Sequence, residues 1–152
     1  MVTNRIEFTI DGEPIAKGRV RSFKLPNGQI RHYTPKETVH YENLVRLFFS
    51  HAKPGDWIPH DGPVEMLVIA YFSIPKSWPR WKKRLAESER MKACCRRDWD
   101  NVGKVVSDVL NEIAYKDDRQ VTDPTVMKRY SPRPRVEVTL VFHKPYDKED
   151  TA

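Results

Sequence analysis

One continuous apolar segment, residues 63–72, constrains the fold of this chain more than any other feature. Nearly every position is apolar, with Glu65 the exception, and Val64, Val68 and Ile69 are β-branched. Ten residues are too few for a membrane-spanning helix, which takes about 20. Such a run is typical of a central strand that is covered on both faces. We therefore expect a β-sheet organised around residues 63–72.

Three other segments have the pattern of strands. Residues 5–10 and residues 136–142 alternate apolar with polar side chains, as strands with one buried face do. The first of them ends at the turn signal Asp11-Gly12. A further strand is expected around residues 120–129, and Pro132 and Pro134 separate it from the last one.

Two helices are predicted. The first should begin at the capping box of Thr34 and Glu37, with Pro35 at the first helical position, and end before Pro54. The second is amphipathic and about three turns long. Because most of its apolar residues are valines, tertiary packing rather than intrinsic propensity must stabilise it. The apolar residues of this valine helix are Val102, Val105, Val106, Val109, Leu110 and Ile113.

The element order β-α-β-α-β-β predicts an α+β fold with two layers, in which both main helices pack on a mixed β-sheet. A small α/β wind is the alternative, but the two adjacent strands at the end of the chain favour the first arrangement. We expect a single domain over residues 1–146 and a disordered acidic tail over residues 147–152.

Composition excludes several classes of protein. The 152 residues contain no stretch apolar enough for a membrane helix, and the first residues lack the apolar block of a signal peptide. We expect a soluble intracellular protein with no membrane partner. Cys94 and Cys95 are adjacent, and neighbouring cysteines rarely reach disulfide geometry. The five histidines are scattered singly, so no structural zinc site is expected.

Basic side chains are concentrated in two segments. Residues 76–97 hold nine basic and two acidic residues, a net charge of +7 in a chain whose total is +6. Residues 17–31 hold five basic residues, no acid, and glycine and proline breakers, which predict a loop or hairpin. Both segments suit phosphate binding, with solvated surfaces as the alternative. The candidate DNA contacts are Lys17, Arg19, Arg21, Lys76, Lys82, Lys83 and Arg84. Trp78 and Trp81 either stack on unpaired bases or anchor the first segment to the core.

Four aspartates flank the valine helix. Asp98 and Asp100 directly precede it, and Asp117 and Asp118 lie a few residues beyond its end. Each has a structural alternative, because an aspartate at a helix start caps free amides and residues 116–119 could form a plain polar turn. Together, however, they lie beside the most basic segment, where acids would repel DNA. A divalent cation such as Mg²⁺ resolves this conflict, since it binds carboxylates and phosphates together.

Two further residues of the valine helix need an explanation. Lys104 lies on the polar face one turn after Asp100, where its ammonium either stabilises charge that develops on a phosphate or pairs with Asp100 or Asp108. Gly103 costs about 1 kcal/mol relative to alanine inside a helix. Close approach of a backbone would explain it, whether from DNA, a partner subunit or the same chain.

At these residues the sequence resembles the RusA family of Holliday junction resolvases, particularly the phage and prophage type. Residues 97–101 (RDWDN) followed by Lys104 are similar to the family's D-x-D-N-x-x-K signature, and residues 113–121 to its Y-K-D-D-x-Q-V signature. Residues 12–21 and 33–42 resemble its basic N-terminal motif, and residues 75–78 its basic loop. The resemblance extends from about residue 12 to residue 141. Val20, Trp99 and Gly103 depart from the usual pattern.

The resemblance implies a homodimeric, Mg²⁺-dependent endonuclease that nicks two strands of a four-way DNA junction symmetrically. It also implies Mn²⁺ as a possible substitute, no small-molecule cofactor, and a place in the cytoplasm of a bacterial host, from either a host or a prophage gene. The residues that match are the catalytic, metal-binding aspartates Asp98, Asp100 and Asp118, the catalytic Lys104, and Arg97 as a DNA contact. Asp117 is an additional candidate metal ligand.

Two other functions stay open on the sequence. A non-catalytic nucleic-acid-binding module would use the aspartates only as caps and braces, and metal-dependent cleavage would exclude it. A broader nuclease would cut branched or single-stranded DNA in general. Comparing a four-way junction, a flap and a linear duplex as substrates separates this function from junction resolution.

Overall fold

The computed structural model describes residues 2–95 and 97–151, and of residues 2 and 3 the backbone only. Arg96, in the first basic segment, and Ala152, in the expected tail, lie outside the described residues. The strands are β1 (Val2–Asp11), β2 (Arg21–Lys24), β3 (Ile30–Tyr33), β4 (Val64–Phe72), β5 (Val121–Tyr130) and β6 (Arg135–His143). The α-helices are α1 (Lys36–Ala52), α2 (Arg80–Glu87) and α3 (Trp99–Leu110), and short 3-10 turns cover Asp118–Gln120 and Lys148–Thr151.

The main sheet has the strand order β1-β6-β4-β5. Strand β6 pairs antiparallel with β1 and with β4, whereas β5 pairs parallel with β4. The parallel pair requires a crossover connection, which α2 and α3 provide. Strands β2 and β3 form a separate antiparallel hairpin. The predicted α+β architecture with a mixed sheet is confirmed.

Helices α1 and α3 cover one face of the sheet. Side chains in register across the four strands, such as Phe8, Val138, Val68 and Val126, point to this face, and the first three are buried. Phe49 of α1 meets Phe8 edge-on with ring centroids 5.9 Å apart. Helix α3 packs over β5 on the same side. Two layers therefore enclose a single core.

The expectation that β4 is covered on both faces is wrong. Its residues alternate between fully buried and partly exposed, and Leu67, Ile69 and Tyr71 occupy the second set. Both sets are apolar for different reasons: one packs on the helices, and the other forms an apolar strip on the open face of the sheet. A run without alternation in polarity therefore need not indicate two covered faces.

The start of α1 also differs from the prediction. The helix begins at Lys36, with Pro35 as its N-cap, and no side chain caps it. Pro35 has an extended backbone (ψ 141°), which places Thr34 one residue too early for its hydroxyl to serve the first turn. The first intrahelical bond runs instead from the Val39 amide to the Pro35 carbonyl. The helix ends at Ala52, as expected.

Two elements have no counterpart in the sequence prediction. Helix α2 lies inside the basic segment; most of its eight residues are charged, and only Ala86 is fully buried. Lys148–Thr151 form a short 3-10 turn, in which Asp147 accepts the amide of Glu149 and the ammonium of Lys144. The expected disorder of the tail stays a prediction. Within the described residues, no helix is long and apolar enough to cross a membrane.

Candidate active site

A cleft of about 320 Å³ lies between α3 and the edge strand β5. Side chains from one face of α3 line it, together with apolar residues of β4 and β5 and one acid from the turn before β5. The residues from α3 are Trp99, Asp100, Gly103, Lys104, Ser107 and Asp108; the others are Met66, Asp118, Val121, Pro124 and Val126.

The valine stripe explains why α3 presents this face to the cleft. Val102, Val105, Val106, Val109 and Leu110 are at most 4% exposed. Because these residues are buried in the core, Asp100, Lys104 and Asp108, which follow one another at intervals of four residues, lie on the outward side of the helix. The predicted amphipathic helix is confirmed, although Ile113 lies beyond its last residue.

Gly103 allows α3 to approach the sheet closely. A Cβ atom at this position would lie 2.7 Å from Cγ2 of Val126 in β5, closer than two carbon atoms can approach. The close neighbour is therefore a side chain of the same chain, where the sequence suggested a backbone. This contact sets the separation of the two walls of the cleft.

A hydrogen-bonded turn positions Asp118. The side chain of Gln120 accepts the amide of Asp117 (2.9 Å) and donates to the carbonyls of His60 and Gly62 (2.8 Å each). These bonds hold the turn against the loop before β4. Consequently the carboxylate of Asp118 lies on the cleft opposite α3.

Tyr115 connects the same turn to the end of α3. It is fully buried, and its hydroxyl donates to the carbonyl of Ser107 at 2.7 Å. Burial raises the pKa of Tyr115 to about 12, with smaller contributions in the same direction from Asp118 and Asp108. The hydroxyl therefore keeps its proton and its donor role at neutral pH.

The two adjacent aspartates of the turn have different roles. Asp117 accepts the amide of Arg119 at 2.9 Å and lies 3.5 Å from the Arg119 guanidinium, so it caps the 3-10 turn. It does not line the cleft. The polar-turn interpretation thus fits Asp117, whereas the carboxylate of Asp118 makes no hydrogen bond or ion pair within the described residues.

Asp98 and Asp100 also differ. Asp98 occupies the N-cap position of α3, yet its carboxylate makes no capping bond. Its one polar contact within residues 2–95 and 97–151 is the Asn101 amide at 3.5 Å, and it does not line the cleft. Asp100 does line the cleft, and within the described residues its carboxylate has no hydrogen-bond or ion-pair partner. The cap interpretation therefore accounts for neither side chain.

Lys104 points into the cleft from an exposed position on α3. Its expected structural alternative was a pair with Asp100 or Asp108. Asp108 pairs instead with Lys17, and Lys104 has no ion-pair partner among the residues described. An ammonium group without a counter-ion thus shares the cleft with two carboxylates that are likewise unpaired.

The donor set of the cleft suits a divalent cation. Mg²⁺ is commonly held by one or two carboxylates, with water and substrate phosphate completing its shell. Asp100 and Asp118 match that requirement. Residues 2–95 and 97–151 contain no preformed group of three or more acidic, histidine or cysteine ligands, since Asp98 and Asp117 are directed elsewhere. The cleft fits a two-carboxylate site that Asp98 could join only by turning its side chain.

The side chains of the predicted DNA contacts differ in exposure and in their partners. Arg19, Arg21, Lys76, Arg84 and Arg97 are exposed, and Lys83 is half-buried. The ammonium of Lys82 lies 4.1 Å from the ring centroid of Trp78. Lys17 differs from the others, because its ammonium is held by Asp108. None of these contacts with DNA is tested by the structure, and they stay predictions.

The tryptophans of this region have two roles. Trp78 packs edge-on against Tyr130, with centroids 5.2 Å apart, and anchors the basic segment to the core. Trp81 and Trp99 are 63% and 64% exposed. Trp99 also borders the cleft, which sequence reasoning missed although its place between Asp98 and Asp100 was the available signal.

Comparison with known proteins identifies a family that the chain matches. A family model described as "Endodeoxyribonuclease RusA" matches residues 11–141, most of the chain. The chain is also 39% identical over 137 residues to a Bacillus subtilis (strain 168) protein named "Uncharacterized protein YqaN", covering 89% of this chain and 94% of that one. The matched range includes every residue that lines the cleft.

Proposed function

Because the chain belongs to the RusA family of endodeoxyribonucleases, we propose that it is a Mg²⁺-dependent nuclease that resolves Holliday junctions by paired, symmetric nicks in a bacterial cytoplasm. One observation carries the proposal. Asp100, Lys104 and Asp118 share one cleft, and none of their three charged side-chain groups has a hydrogen-bond or ion-pair partner within the described residues. Unpaired charges of both signs suit a substrate that brings its own charge.

The proposed chemistry assigns each side chain of the cleft a task. Asp100 and Asp118, with Asp98 after a side-chain rotation, would hold Mg²⁺, or Mn²⁺ in its place. The bound cation supplies electrostatic stabilisation of the phosphodiester and activation of water. Lys104, one helical turn from Asp100, would offset the negative charge that builds on the phosphate oxygens. Tyr115 and Gln120 keep Asp118 at a fixed distance from α3.

The basic segments would hold the DNA while the cleft cuts it. Both basic segments precede α3 in the chain: one contains Arg19 and Arg21, and the nearer one contains Lys76, Lys83 and Arg84. Their positive charge would offset the repulsion between the aspartates and phosphate. Phosphate contacts of this kind position a nucleic acid without reading its bases. These contacts would therefore recognise the shape of the junction rather than its bases.

A homodimer would supply the second nick. A four-way junction has approximate two-fold symmetry, so a C₂ dimer with one cleft in each subunit presents two sites to two strands. The open face of the sheet is a candidate interface. Its apolar centre includes Leu67, Ile69 and Val141, all partly exposed, and charged side chains such as Arg5 and Glu65 surround them. An uncovered apolar patch with a polar rim is typical of a protein–protein contact.

The test is a comparison of three DNA substrates at equal enzyme and Mg²⁺. A four-way junction, a flap and a linear duplex are each labelled on one strand at a time. We expect nicks at symmetric positions in two opposite strands of the junction, and at least about tenfold slower cleavage of the duplex. Equal rates on all three would indicate a broader nuclease, and binding without cleavage would indicate a non-catalytic module.

A further inference from the structure

The β2–β3 hairpin stands apart from the core. All eight of its strand residues are exposed, and it shares no strand with the main sheet. Between residues 17 and 36 the chain contains no acid. Phe23 and Tyr33 meet edge-on across the two strands, with centroids 5.9 Å apart. The result is a cationic two-stranded ribbon, an element of the width that the major groove of DNA admits.

A lone two-stranded hairpin is marginally stable in water and has no fixed direction of its own. Three bonds at its base supply that direction. The Lys17 amide donates to the Asn101 carbonyl (3.0 Å), the Gly18 amide donates to the Thr38 hydroxyl (3.2 Å), and the Lys17 ammonium pairs with Asp108. The base of the hairpin is therefore attached to α3 and α1 together.

The ion pair between Lys17 and Asp108 is the most distinctive of these bonds. Both side chains are about one-third exposed (34% and 32%), so they are shielded more than a surface pair. Asp108 lies two turns after Asp100 and lines the same cleft. Since Lys17 is committed to this pair, it is not a free cation for phosphate, in contrast to Arg19 and Arg21.

Gly18 shows how closely the segment lies against α1. A Cβ at this position would lie 2.7 Å from Oγ1 of Thr38 and 3.1 Å from Cγ of Pro35. Only glycine fits here without a shift of the segment or of the side chains of Thr38 and Pro35. The backbone at residue 18 is thus fixed by shape as well as by hydrogen bonds.

We propose that the Lys17–Asp108 ion pair positions the cationic hairpin against the helix that carries Asp100 and Lys104, so that a duplex arm gripped by the hairpin presents one phosphodiester to the cleft. This inference rests on the proposed nuclease function and extends it. Lys17 and Asp108 are positioning residues in this scheme. Displacing a reacting bond by about 1 Å can lower a rate by up to about 10²-fold, so the pair should control both where the DNA is cut and how fast.

Charge variants distinguish this role from a direct phosphate contact. K17D and D108K each break the pair, whereas K17D/D108K restores it with the charges exchanged. We expect about tenfold less cleavage at the principal phosphodiester, and additional cuts at neighbouring positions, for each single variant. The double variant should return to within about threefold of wild type. If Lys17 instead binds phosphate directly, D108K should bind DNA more tightly than wild type and should not lose activity, because removing an acid from a DNA-binding surface strengthens binding.

The control is the same exchange of charges at a second ion pair, Lys144 with Asp147. It is an ion pair of similar exposure (44% for each side chain, 2.7 Å) near the end of the chain. K144D/D147K and its single variants should cut as wild type does. A D108K enzyme with the wild-type rate and cut position would overturn the proposal, as would a double variant no better than either single one.

A second measurement does not depend on cleavage. Hydrogen exchange of the amides of residues 17 and 18 should be faster in K17D and D108K and return toward wild type in the double variant. G18A should act similarly without any change in charge, whereas G55A, where a Cβ meets nothing within 4 Å, should not. If the wild type cuts no DNA while the exchange pattern holds, the proposed function fails and the positioning pair stands. Unchanged exchange in every variant refutes the pair itself.

Discussion

Gly103 of α3 lies directly against Val126 of β5, so closely that a Cβ on the glycine would be 2.7 Å from the valine Cγ2. Valine has little rotamer freedom to move away. The contact therefore fixes the distance between the helix that carries Asp100 and Lys104 and the strand that follows Asp118. The width of the cleft thus depends on the absence of one methyl group.

The first prediction is that G103A destabilises the protein. Alanine gains about 1 kcal/mol of helix propensity, but overpacking costs about 1 to 3 kcal/mol. The net loss should be about 1 kcal/mol in urea unfolding, and junction cleavage should slow because the cleft widens. G103A/V126A removes the clash and should recover part of the loss in both measurements. A G103A protein more stable than wild type would contradict this account of the glycine.

The second prediction separates the two adjacent aspartates. D118N should abolish cleavage while folding and junction binding stay near wild type, since a charge that repels DNA is removed. D117N should cut DNA normally and lose little stability, because asparagine keeps an oxygen that can accept the Arg119 amide and caps about as well as aspartate. The measurements are single-turnover cleavage, junction binding and urea unfolding for both variants. D100N should behave as D118N does, and a D117N enzyme without activity would show that the two roles are misassigned.

The third prediction concerns Lys104. An unpaired lysine on a helix surface contributes little to stability, so K104M should fold as wild type does. Single-turnover cleavage at saturating enzyme and Mg²⁺ should nevertheless fall about 10²-fold or more, by analogy with the loss of one preorganised donor. K148M is the matched control, because Lys148 is exposed and lies outside both the cleft and the family signatures. A K104M rate within about threefold of wild type excludes a catalytic lysine.

The fourth prediction concerns the basic segment. Replacing Lys82, Lys83 and Arg84 by glutamine should weaken binding of every junction sequence. It should also reduce the slope of log K against log salt by about 0.9 for each phosphate that the variant no longer binds. The same change in net charge at Lys53, Lys144 and Lys148 should leave the slope unchanged. Equal slopes for the two triple variants would mean that residues 82–84 are only a solvated surface.

The fifth prediction follows from Tyr115. Because burial raises its pKa to about 12 in the folded state, against about 10 in the unfolded chain, the unfolded state loses the proton first as pH rises. The contribution of Tyr115 to stability is therefore constant below about pH 10 and is lost progressively above it. Y115F should cost about 1 kcal/mol at neutral pH, where it removes the bond to Ser107. The gap between wild type and Y115F should narrow as pH rises above about 10, and a constant gap would contradict the shift.

Local patterns predicted much of the fold. The valine stripe of α3 and the alternation in β1 and β6 encode which face is buried, since those periods are properties of the helix and the strand themselves. Helix α2 was not predicted, because only Ala86 is fully buried and most of its other residues are charged. The open face of β4 was not predicted, because apolar residues on an exposed face cannot be distinguished in sequence from residues covered by a second layer.

The candidate site likewise has features that local sequence predicts and features that it does not. Asp100 and Lys104 were predictable as neighbours, since four residues form one helical turn. The division of labour between Asp117 and Asp118 was not, because it depends on bonds to His60 and Gly62 from a distant loop. The pair of Lys17 with Asp108 joins residues 91 positions apart. No local pattern encodes a contact at that separation.

The Mg²⁺ dependence of four-way junction cleavage tests the central claim most directly. Wild-type enzyme and D118N are freed of metal with EDTA and assayed on a junction labelled on each strand in turn, before and after a Mg²⁺ titration. We predict no cleavage without metal, saturable recovery of symmetric nicks with Mg²⁺ or Mn²⁺ for wild type, and no recovery for D118N at any concentration. Cleavage by wild type in EDTA at its Mg²⁺ rate, or full recovery of D118N, would contradict the account.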